Sequence, residues 1–254
     1  MIDLHSHLLP GVDDGTRTVA QSVDVLTRMA GEGIVDIALT PHLEASRISE
    51  GPPPAHDEAF AALSRVAPAG IRLHRGAEVM LDRALTPRAI ATRRVTLAGS
   101  RYLLCEFTRM VSGQAATAAL TQVVKAGLVP VLAHPERYQV CSVAMVQRWK
   151  ELGVKMQVDA NTLLKASARG QRARELVTNG LADILAGDNH GDGRSLAVPF
   201  DRLVAAGGRT QASLLMKTNP AAILADRDLH EVKSFELSLP LFARLKGWLG
   251  ELGE

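Results

Sequence analysis

Short apolar runs alternate along this chain with stretches in which apolar residues recur every three or four positions. The helical spacing is clear at residues 19–29, 119–126 and 143–152, and a glycine follows such stretches, as at Gly33 and Gly153. The strand-like runs fall at residues 2–7, 36–42, 71–79, 102–107, 129–134, 155–159 and 184–190. This alternation predicts an α/β domain with a mostly parallel sheet. Seven such runs favour a closed or nearly closed barrel, with an open doubly wound sheet as the alternative.

The size and composition of the chain predict a single domain. Of its 254 residues, 46% are hydrophobic, which is enough for one sizeable core. We therefore predict one barrel domain over residues 1–254. Its last part, residues 235–252, has an amphipathic pattern that predicts a helix packed on the barrel. The same surface could support self-association, so the chain could also form a homo-oligomer.

The charge balance argues against a nucleic-acid partner. The chain has 29 Lys and Arg against 27 Asp and Glu, whereas binding to a phosphate backbone needs clustered cations. The first residues show no signal-peptide pattern, and no stretch approaches the ~18 apolar residues of a membrane span. Cys105 and Cys141 fall in or beside predicted core elements and are typical of reduced thiols. Together these features predict a cytoplasmic protein.

Side chains that commonly bind metal ions stand at the carboxyl ends of six of the seven predicted strands. In a parallel barrel these ends open onto one face, where barrel active sites are found. Pairs spaced two residues apart lie on the same side of a strand. The loop Asp13-Asp14-Gly15 could add an oxygen ligand. The strand-end residues are His5, His7, His42, Glu78, Glu106, His134, Asp188 and His190.

Each of these residues also has an ordinary explanation, and only their joint pattern argues for a metal site. A lone His-x-His is common by chance, and strand-end carboxylates are often simply solvated. Five of the eight histidines nevertheless stand at strand ends; for His56, His74 and His230 we expect surface or packing roles. Imidazoles and carboxylates without thiolates favour Mn²⁺, Fe²⁺ or Zn²⁺. So many ligands exceed the needs of one ion, which predicts two or three divalent ions.

Seven motifs together resemble the polymerase-and-histidinol-phosphatase (PHP) superfamily, and more narrowly the bacterial PHP-type tyrosine phosphatases of capsule and exopolysaccharide operons. The match spans about residues 1–225. The motifs are Ile2-Asp3-Leu4-His5-Ser6-His7, Gly11-Val12-Asp13-Asp14-Gly15, Thr40-Pro41-His42, Gly76-Ala77-Glu78, Leu104-Cys105-Glu106-Phe107, Ala133-His134-Pro135-Glu136-Arg137-Tyr138 and Gly187-Asp188-Asn189-His190.

The resemblance implies a distorted seven-stranded (β/α)7 TIM-like barrel that holds three metal ions, most often manganese. The first ion would take His5, His7, Glu78 and Asp188. Glu78 would bridge to a second ion held also by His42 and His134. A third would take Asp14, in preference to Asp13, with Glu106 and His190.

The resemblance also implies which arginines would grip the phosphate. Arg137 follows the fifth strand and Arg194 lies just beyond His190, and guanidinium groups bind phosphate oxygens in a bidentate manner. The loop after His42 is less basic than the resemblance leads one to expect. Arg47 and Arg109 are the further candidates for substrate contacts.

The predicted function is a metal-dependent protein-tyrosine phosphatase in which a metal-activated hydroxide attacks phosphorus. Its partner would be a phosphotyrosine protein, most naturally a membrane-anchored bacterial tyrosine kinase of capsule or exopolysaccharide synthesis. Histidinol-phosphate phosphatase or another small-molecule phosphatase is the main alternative, followed by a nucleic-acid phosphodiesterase or editing module and by an inactive metal-binding scaffold. A cysteine phosphatase is excluded, because Cys105 and Cys141 lack the arginine six residues on that such enzymes need.

Overall fold

The computed structural model describes residues 1–48 and 51–236, in which strands and helices alternate. The strands are β1 (Ile2–Asp3), β2 (Asp36–Leu39), β3 (His42–Glu44), β4 (Arg72–Arg75), β5 (Glu78–Met80), β6 (Tyr102–Glu106), β7 (Val129–Ala133), β8 (Lys155–Asp159) and β9 (Ile184–Ala186). The α-helices are α1 (Val19–Gly31), α2 (Pro54–Ser64), α3 (Pro87–Thr92), α4 (Gly113–Lys125), α5 (Val143–Glu151), α6 (Ala168–Thr178), α7 (Ala197–Ala205), α8 (Arg209–Ser213) and α9 (Asn219–Leu224). Single 3₁₀ turns occur at Ala45–Arg47, Leu97–Gly99, Pro135–Arg137 and Thr162–Leu164, and a π-helix at Leu214–Thr218.

All the strand pairs in these residues are parallel, which confirms the predicted α/β class. One sheet has the order β1-β2-β4, and the other has the order β3-β5-β6-β7-β8-β9. Two of the predicted strands are therefore each divided between the sheets. The predicted strand at residues 36–42 becomes β2 and β3, and the one at residues 71–79 becomes β4 and β5.

The two divisions have local causes. Pro41 has no backbone N–H to donate to a ladder, so β2 stops before it and β3 starts after it. Gly76 lies where β4 ends, in contact with Thr40 and Leu97: a Cβ there would be 3.1 Å from a side-chain carbon of each. The kinks therefore fall side by side, and they turn His42 and Glu78 toward the second sheet.

The sheets also meet beyond β9 and β1. The amide of Asp188 donates to the carbonyl of His5 over 2.9 Å, and the amide of His7 donates to the carbonyl of Asn189 over 2.8 Å. Ser6 and Asn189 form an isolated parallel bridge. In residues 1–48 and 51–236 this is a bridge and not a continuous ladder, so the strands form two parallel sheets joined at their ends. The closed or nearly closed seven-stranded barrel stays a prediction.

Two apolar clusters hold the strands in place. The larger one lies between the strands and the surrounding helices and includes Leu26, Leu103 and Trp149, all fully buried. A smaller one joins strands of both sheets to Ile223 of α9 through Leu4, Ala38, Leu104 and Val131. Glu106 follows Leu104 by two residues on β6, so the same face of that strand is apolar first and then polar at its carboxyl end.

Two predictions fall partly or wholly outside the described residues. Of the amphipathic segment at residues 235–252, the structure describes only the first two residues; Phe235 packs on the core and its amide donates to the carbonyl of Thr178 over 3.0 Å. The single domain over residues 1–254 stays a prediction. Within the described part of the chain, no helix combines the length and the hydropathy needed to cross a bilayer.

Candidate metal centre

The structure brings all nine predicted metal ligands into one mouth at the carboxyl ends of the strands. Their ligand atoms fall into four overlapping groups in which the atoms lie within 4.8 Å of one another. His42 and Glu78 begin their strands β3 and β5, where we had expected both to end one. The groups are His5, Glu78 and His134; His5, His7 and Asp188; His42, Glu78 and Glu106; and His7, Asp14, His42 and His190.

Glu78 stands at the centre of this mouth. Its carboxylate is fully buried, and its Oε2 lies 3.1 Å from His5 Nε2, 3.3 Å from His7 Nε2 and 3.1 Å from His42 Nδ1. Its other oxygen, Oε1, lies 2.8 Å from His134 Nε2. One carboxylate thus faces four imidazoles, the geometry expected of a bridging ligand between two ions.

The outer part of the mouth is more exposed. Asp14 Oδ1 lies 3.6 Å from His42 Nε2 and 3.5 Å from His190 Nε2, and the Asp14 side chain is 65% exposed. Glu106 Oε1 lies 3.0 Å from His42 Nδ1, and its Oε2 lies 4.0 Å from His134 Nε2. His42 therefore stands between the central carboxylates and this outer group.

Polar neighbours orient the two histidines of the first motif. His7 Nδ1 bonds Asp13 Oδ2 over 2.7 Å, and His5 Nδ1 bonds Gln157 Oε1 over 2.9 Å. With each Nδ1–H donated outward, each Nε2 is left to face the centre of the mouth. Hydrogen bonds of this kind fix the tautomer and the ring direction of metal-binding histidines.

Two of the strand-end residues have a strained backbone. His134 has a φ of 34° and Asp188 a φ of 49°, in the left-handed region that residues with a side chain seldom adopt. Such conformations cost about 1–3 kcal/mol each and cluster at functional sites. Here they turn the side chains of both residues toward Glu78 and the first-motif histidines instead of along their strands.

The contacts of these atoms fit bound cations better than they fit hydrogen bonds among themselves. In the described residues, Glu78 Oε2, Asp188 Oδ1 and His134 Nδ1 are buried without a hydrogen-bond partner. The Nε2 atoms of His5 and His7 face each other at 3.2 Å. Buried polar atoms are nearly always paired in folded proteins, so each such atom needs an explanation. Divalent cations bound by nitrogen and oxygen explain several of them at once.

The pKa shifts of Glu78 and His42 also fit bound cations. Burial favours the neutral form of Glu78, but His5 and His134 outweigh it and hold the pKa of Glu78 well below its usual value. Burial likewise opposes the charged form of His42, but the carboxylates of Glu106 and Glu78 beside its ring raise its pKa to about 10. The carboxylates therefore demand positive charge at the centre of the mouth. Divalent ions meet that demand and leave the imidazoles neutral, as ligands must be.

The two predicted phosphate-gripping arginines both lie beside Asp188. Arg137 pairs through Nη2 with Asp188 Oδ2 and with Asp159 Oδ2, the latter at 3.2 Å. Arg194 Nη1 lies 3.3 Å from Asp188 Oδ2, and Arg194 also pairs with Asp192. Both guanidinium groups therefore stand at the edge of the metal-ligating cluster.

The other two candidate arginines lie on exposed loops. Arg47 is 80% exposed and its Nε lies 2.5 Å from Glu44 Oε2. Arg109 lies in the exposed loop after β6, and its backbone carbonyl accepts the amide of Gln139 over 3.2 Å. Within the described residues, neither guanidinium forms a hydrogen bond or an ion pair with any of the nine predicted ligands.

The histidines for which we expected other roles lie outside the cluster. His74 Nε2 bonds Asp36 Oδ1 over 2.7 Å, and His56 is buried on α2. The side chain of His230 is exposed, and its backbone amide donates to Asn219.

Comparison with known proteins identifies the family. A family model described as capsular polysaccharide synthesis, CpsB/CapC, matches residues 1–225. This chain belongs to the CpsB/CapC family. The resemblance inferred from the seven motifs is thereby confirmed.

Similar proteins span nearly the same length. The chain is 26% identical over 242 residues to the tyrosine-protein phosphatase CpsB of Streptococcus pneumoniae, covering 89% of this chain and 99% of the relative. It is 26% identical over 196 residues to the tyrosine-protein phosphatase YwqE of Bacillus subtilis, covering 75% and 77%.

Solved structures support the fold. One, from work on YwqE of Bacillus subtilis and CpsB of Streptococcus pneumoniae described as unique metal-dependent tyrosine phosphatases, has a TM-score of 0.79 at 22% identity and covers 93% of this chain and 100% of that one. A mutant organophosphorus hydrolase from Deinococcus radiodurans has a TM-score of 0.54 at 14% identity and covers 88% and 92%. At these identities the likeness establishes the fold alone.

Several polar residues of this CpsB/CapC family member support the site and were missed from the sequence. Gln157 orients His5, and Asp159 pairs with Arg137. Both lie at the end of β8, the one predicted strand to which we assigned no ligand. Their spacing of two residues places them on one side of the strand, and this pattern could have indicated a role at the site. Asp13, considered only as a rival to Asp14, orients His7.

Two buried acids underlie the mouth; both lie within the motifs of the family resemblance, but we assigned neither of them a role. Asp3 Oδ1 accepts the amides of Gly187 over 3.0 Å and of His5 over 3.2 Å, so it ties β1 to the chain that leaves β9. Glu136 Oε1 accepts the amide of Asp159 over 3.2 Å; burial, followed by the charge of Asp159, raises the pKa of Glu136 to about 8.

Proposed function

We propose that this chain is a metal-dependent protein-tyrosine phosphatase. The observation that carries the proposal is the convergence of nine His, Asp and Glu ligand atoms beside two arginines in one mouth. Relatives such as CpsB of Streptococcus pneumoniae and YwqE of Bacillus subtilis carry the name tyrosine-protein phosphatase, which favours a phosphotyrosine substrate over histidinol phosphate. The absence of a cysteine nucleophile motif leaves hydrolysis at a metal centre as the chemistry that these residues suit.

The geometry supports three overlapping ion sites. His5, His7 and Asp188 would hold the first with Glu78, and Glu78 would bridge to the second. We assign Glu106 and His134 to this second site. Asp14, His42 and His190 are the outer group and suit a third ion. The resemblance implied His42 in the second site and Glu106 in the third. We exchange the two residues, because Glu106 groups with Glu78 and not with Asp14, whereas His42 also groups with Asp14 and His190.

When bound, divalent ions at these positions would neutralise phosphate oxygens and lower the pKa of a water molecule enough to make it a nucleophile near neutral pH. Mn²⁺ is the ion that we expect first, with Fe and Zn as alternatives. The residues of the chain do the rest. Arg137 and Arg194 would bind the remaining phosphate oxygens and stabilise charge in the transition state. Asp13 and Gln157 keep His7 and His5 in the required orientation.

We propose further that the two sheets work as one distorted seven-stranded barrel. In this description β2 with β3 and β4 with β5 each count as one kinked strand. The hydrogen bonds between residues 5–7 and 188–189 complete the ring. The kinks then serve the site, since they are what place His42 and Glu78 next to each other in register.

The substrate would be a phosphotyrosine protein in the cytoplasm. The family description refers to capsular polysaccharide synthesis. A membrane-anchored tyrosine kinase of that process is therefore the partner that we propose.

The decisive experiment couples metal analysis to phosphatase assays. The purified protein is assayed as isolated, after chelation, and after reloading with Mn²⁺, Fe²⁺ or Zn²⁺, with p-nitrophenyl phosphate, a phosphotyrosine peptide and histidinol phosphate as substrates. We expect two or three ions per chain, loss of activity on chelation, and a kcat/KM for the peptide well above that for histidinol phosphate. The reverse preference would establish the small-molecule alternative.

A matched pair of variants tests the site itself. His134→Ala should lose nearly all activity and at least part of the metal. His230→Ala changes an exposed histidine far from the ligand groups and should leave both unchanged. Full activity of the metal-stripped protein would refute the proposed function.

A further inference from the structure

Next to Arg137 the structure places basic side chains that the metal centre does not use. The first is in and just before α6, which packs against the turn Pro135–Arg137. Residues 165–174 contain Lys165, Arg169, Arg172 and Arg174 and no acidic residue. So high a positive charge in one short segment beside a phosphate-gripping arginine needs an explanation.

Two of these side chains are occupied by backbone carbonyls. Arg172 donates from Nε and Nη2 to the carbonyl of Glu136 over 3.0 and 2.8 Å. Arg174 donates from Nη1 to the carbonyls of Leu163 and Lys165 over 2.8 and 2.9 Å. Both arginines therefore hold α6 and the loop before it in place, and they are not available to a ligand.

Arg169 is different. It lies in the first turn of α6, half-buried, and no group in residues 1–48 or 51–236 forms a hydrogen bond or an ion pair with its guanidinium. Burial, followed by the nearby charges of Arg137 and Arg109, lowers its pKa. A cation at a helix N-terminus also opposes the helix dipole. The nearby acid Glu136 opposes this shift, and a bound anion would offset the remaining costs of the position.

The backbone at Arg169 is held rigidly. Ser167 caps α6 by accepting the amide of Gly170 over 3.1 Å. The chain passes so close at Gly170 that a Cβ there would lie 2.0 Å from the carbonyl oxygen of Lys165. Arg169 is thus presented from a fixed turn, and a fixed turn lowers the entropy lost when its side chain binds a ligand.

The loop after β6 supplies the other half of this surface. Arg109 is exposed, and its side chain has no partner in the part of the chain that the structure describes. Its neighbour Met110 is 71% exposed, the highest value among the large hydrophobic residues of that part. The backbone carbonyl of Arg109 is tied to Gln139, two residues past Arg137, so the loop borders the mouth. We call Arg109, Met110 and Arg169 the arginine rim.

We propose that the arginine rim is a second anion subsite, which binds an acidic group on the peptide that flanks the phosphotyrosine. The inference rests on the proposed phosphatase function and adds its substrate class: a peptide whose phosphotyrosine is accompanied by another oxyanion, either a carboxylate or a second phosphate. The two free guanidinium groups suit the oxyanion, and Met110 suits the apolar part of a peptide side chain. The metal centre and Arg137 would take the scissile phosphate.

The test uses the full-length, metal-loaded protein and three phosphotyrosine peptides of equal length. One has neutral flanks, one has aspartates at the flanks, and one has a second phosphotyrosine in place of the aspartates; p-nitrophenyl phosphate is the small reference substrate. The readout is the ratio of kcat/KM for an anionic peptide to kcat/KM for the neutral one. We expect the wild-type ratio to be about ten and to fall as NaCl is raised from 50 to 500 mM, roughly as charge screening shortens from ~14 to ~4 Å.

Arg169→Gln should lower this ratio about two- to five-fold, which is the range for one exposed ion pair, and the double variant Arg109→Gln/Arg169→Gln should bring it close to one. The change should lie in KM and not in kcat. Arg148→Gln is the matched control: it removes an exposed arginine from the last turn of α5, away from the mouth, and should leave the ratio unchanged.

The outcomes separate this inference from the proposed function. An enzyme that hydrolyses all four substrates but has a ratio near one, or a ratio that the double variant keeps, overturns the inference and leaves the phosphatase function standing. Loss of preference for both anionic peptides identifies a general oxyanion subsite, and loss for one alone identifies its anion. If no substrate is hydrolysed, the proposed function fails. Fluorescence anisotropy with peptides that carry a non-hydrolysable phosphotyrosine analogue then tests the rim by binding alone, and equal affinities for the three peptides overturn it.

Discussion

Buried carboxylates have different partners at the two ends of the strands. At the amino end, Asp36 on β2 accepts hydrogen bonds from Arg72 Nε at 2.7 Å and from His74 Nε2 at 2.7 Å, both on β4. At the carboxyl end, Glu78 and Glu106 meet only imidazoles in the described part of the chain, and one oxygen of Glu78 has no hydrogen-bond partner.

The difference distinguishes a carboxylate that stabilises the fold from carboxylates that suit a metal site. Asp36 is neutralised by Arg72 and also bonds His74, so its partners are supplied by the folded chain itself. The carboxylates of the mouth are brought together with too few cations of the chain, and burial of charge without compensation is costly. The proposed divalent ions would supply the missing positive charge, so changes in the mouth should affect activity far more than changes at Asp36. Parallel barrels in general divide catalysis and stability between these two ends in this way.

The largest effect should follow from Glu78→Gln. The substitution keeps the size of the side chain and removes the charge that faces His5, His7 and His42 at 3.1–3.3 Å. We expect kcat/KM for p-nitrophenyl phosphate to fall by about 10³-fold or more, with fewer ions bound per chain. Steady-state kinetics and metal analysis check both effects, and circular dichroism shows whether the variant has folded. Activity within ten-fold of wild type would contradict the central role that we assign to Glu78.

Arg137→Lys should have the next largest effect. Lysine keeps the positive charge beside Asp159 and Asp188 but loses the planar fork that binds phosphate in a bidentate manner. We expect kcat/KM to fall by about 10²-fold while the metal content stays near that of wild type. The same substitution at Arg194, which lies on an exposed turn and pairs also with Asp192, should cost less. A loss of metal in Arg137→Lys that equals the loss of activity would contradict a role in phosphate binding.

Asp13 and Asp14 are sequence neighbours whose substitution should have different consequences. Asp13 bonds His7 Nδ1, so Asp13→Asn weakens the support of a ligand and should lower metal affinity by about 10–100-fold. Excess Mn²⁺ should then restore activity. Asp14 faces His42 and His190, so Asp14→Asn should remove one ion, and excess metal should not replace it. Metal titrations followed by calorimetry distinguish the two, and identical behaviour of the variants would refute the separate roles.

The strand ends could be predicted from the sequence because parallel topology alone brings them together. His5, His134 and Asp188 are distant in the chain, yet each follows an apolar run, and the carboxyl ends of such runs share one edge. Arg137 and Arg194 were predicted from the family resemblance, because they follow His134 and His190 closely in the sequence.

The kinks and the supporting residues could not be predicted, because they depend on contacts between remote segments. The division at Pro41 becomes a division between sheets only because Gly76 lies against Thr40 and Leu97. The bond from Gln157 to His5 joins residues 152 positions apart. The left-handed backbone of His134 is unusual for a residue with a side chain, and its own sequence gives no reason to expect it.

The smallest effect should come from Asp36→Asn, at the amino end of the strands. Hydrogen bonds from Arg72 and His74 outweigh burial and lower the pKa of Asp36. A lowered carboxyl pKa stabilises the folded protein at every pH above the value in the unfolded chain, about 3.9, and the stabilisation is lost as the pH falls toward the folded value. In metal-free protein at pH 7, we expect Asp36→Asn to lower the urea midpoint by about 0.1–0.3 M. The difference from wild type should shrink below about pH 4, while kcat/KM of the metal-loaded variant stays within about two-fold of wild type. A large loss of activity in this variant would show that the two ends of the strands are coupled, because in the described residues the Asp36 side chain bonds Arg72 and His74 and none of the nine predicted ligands.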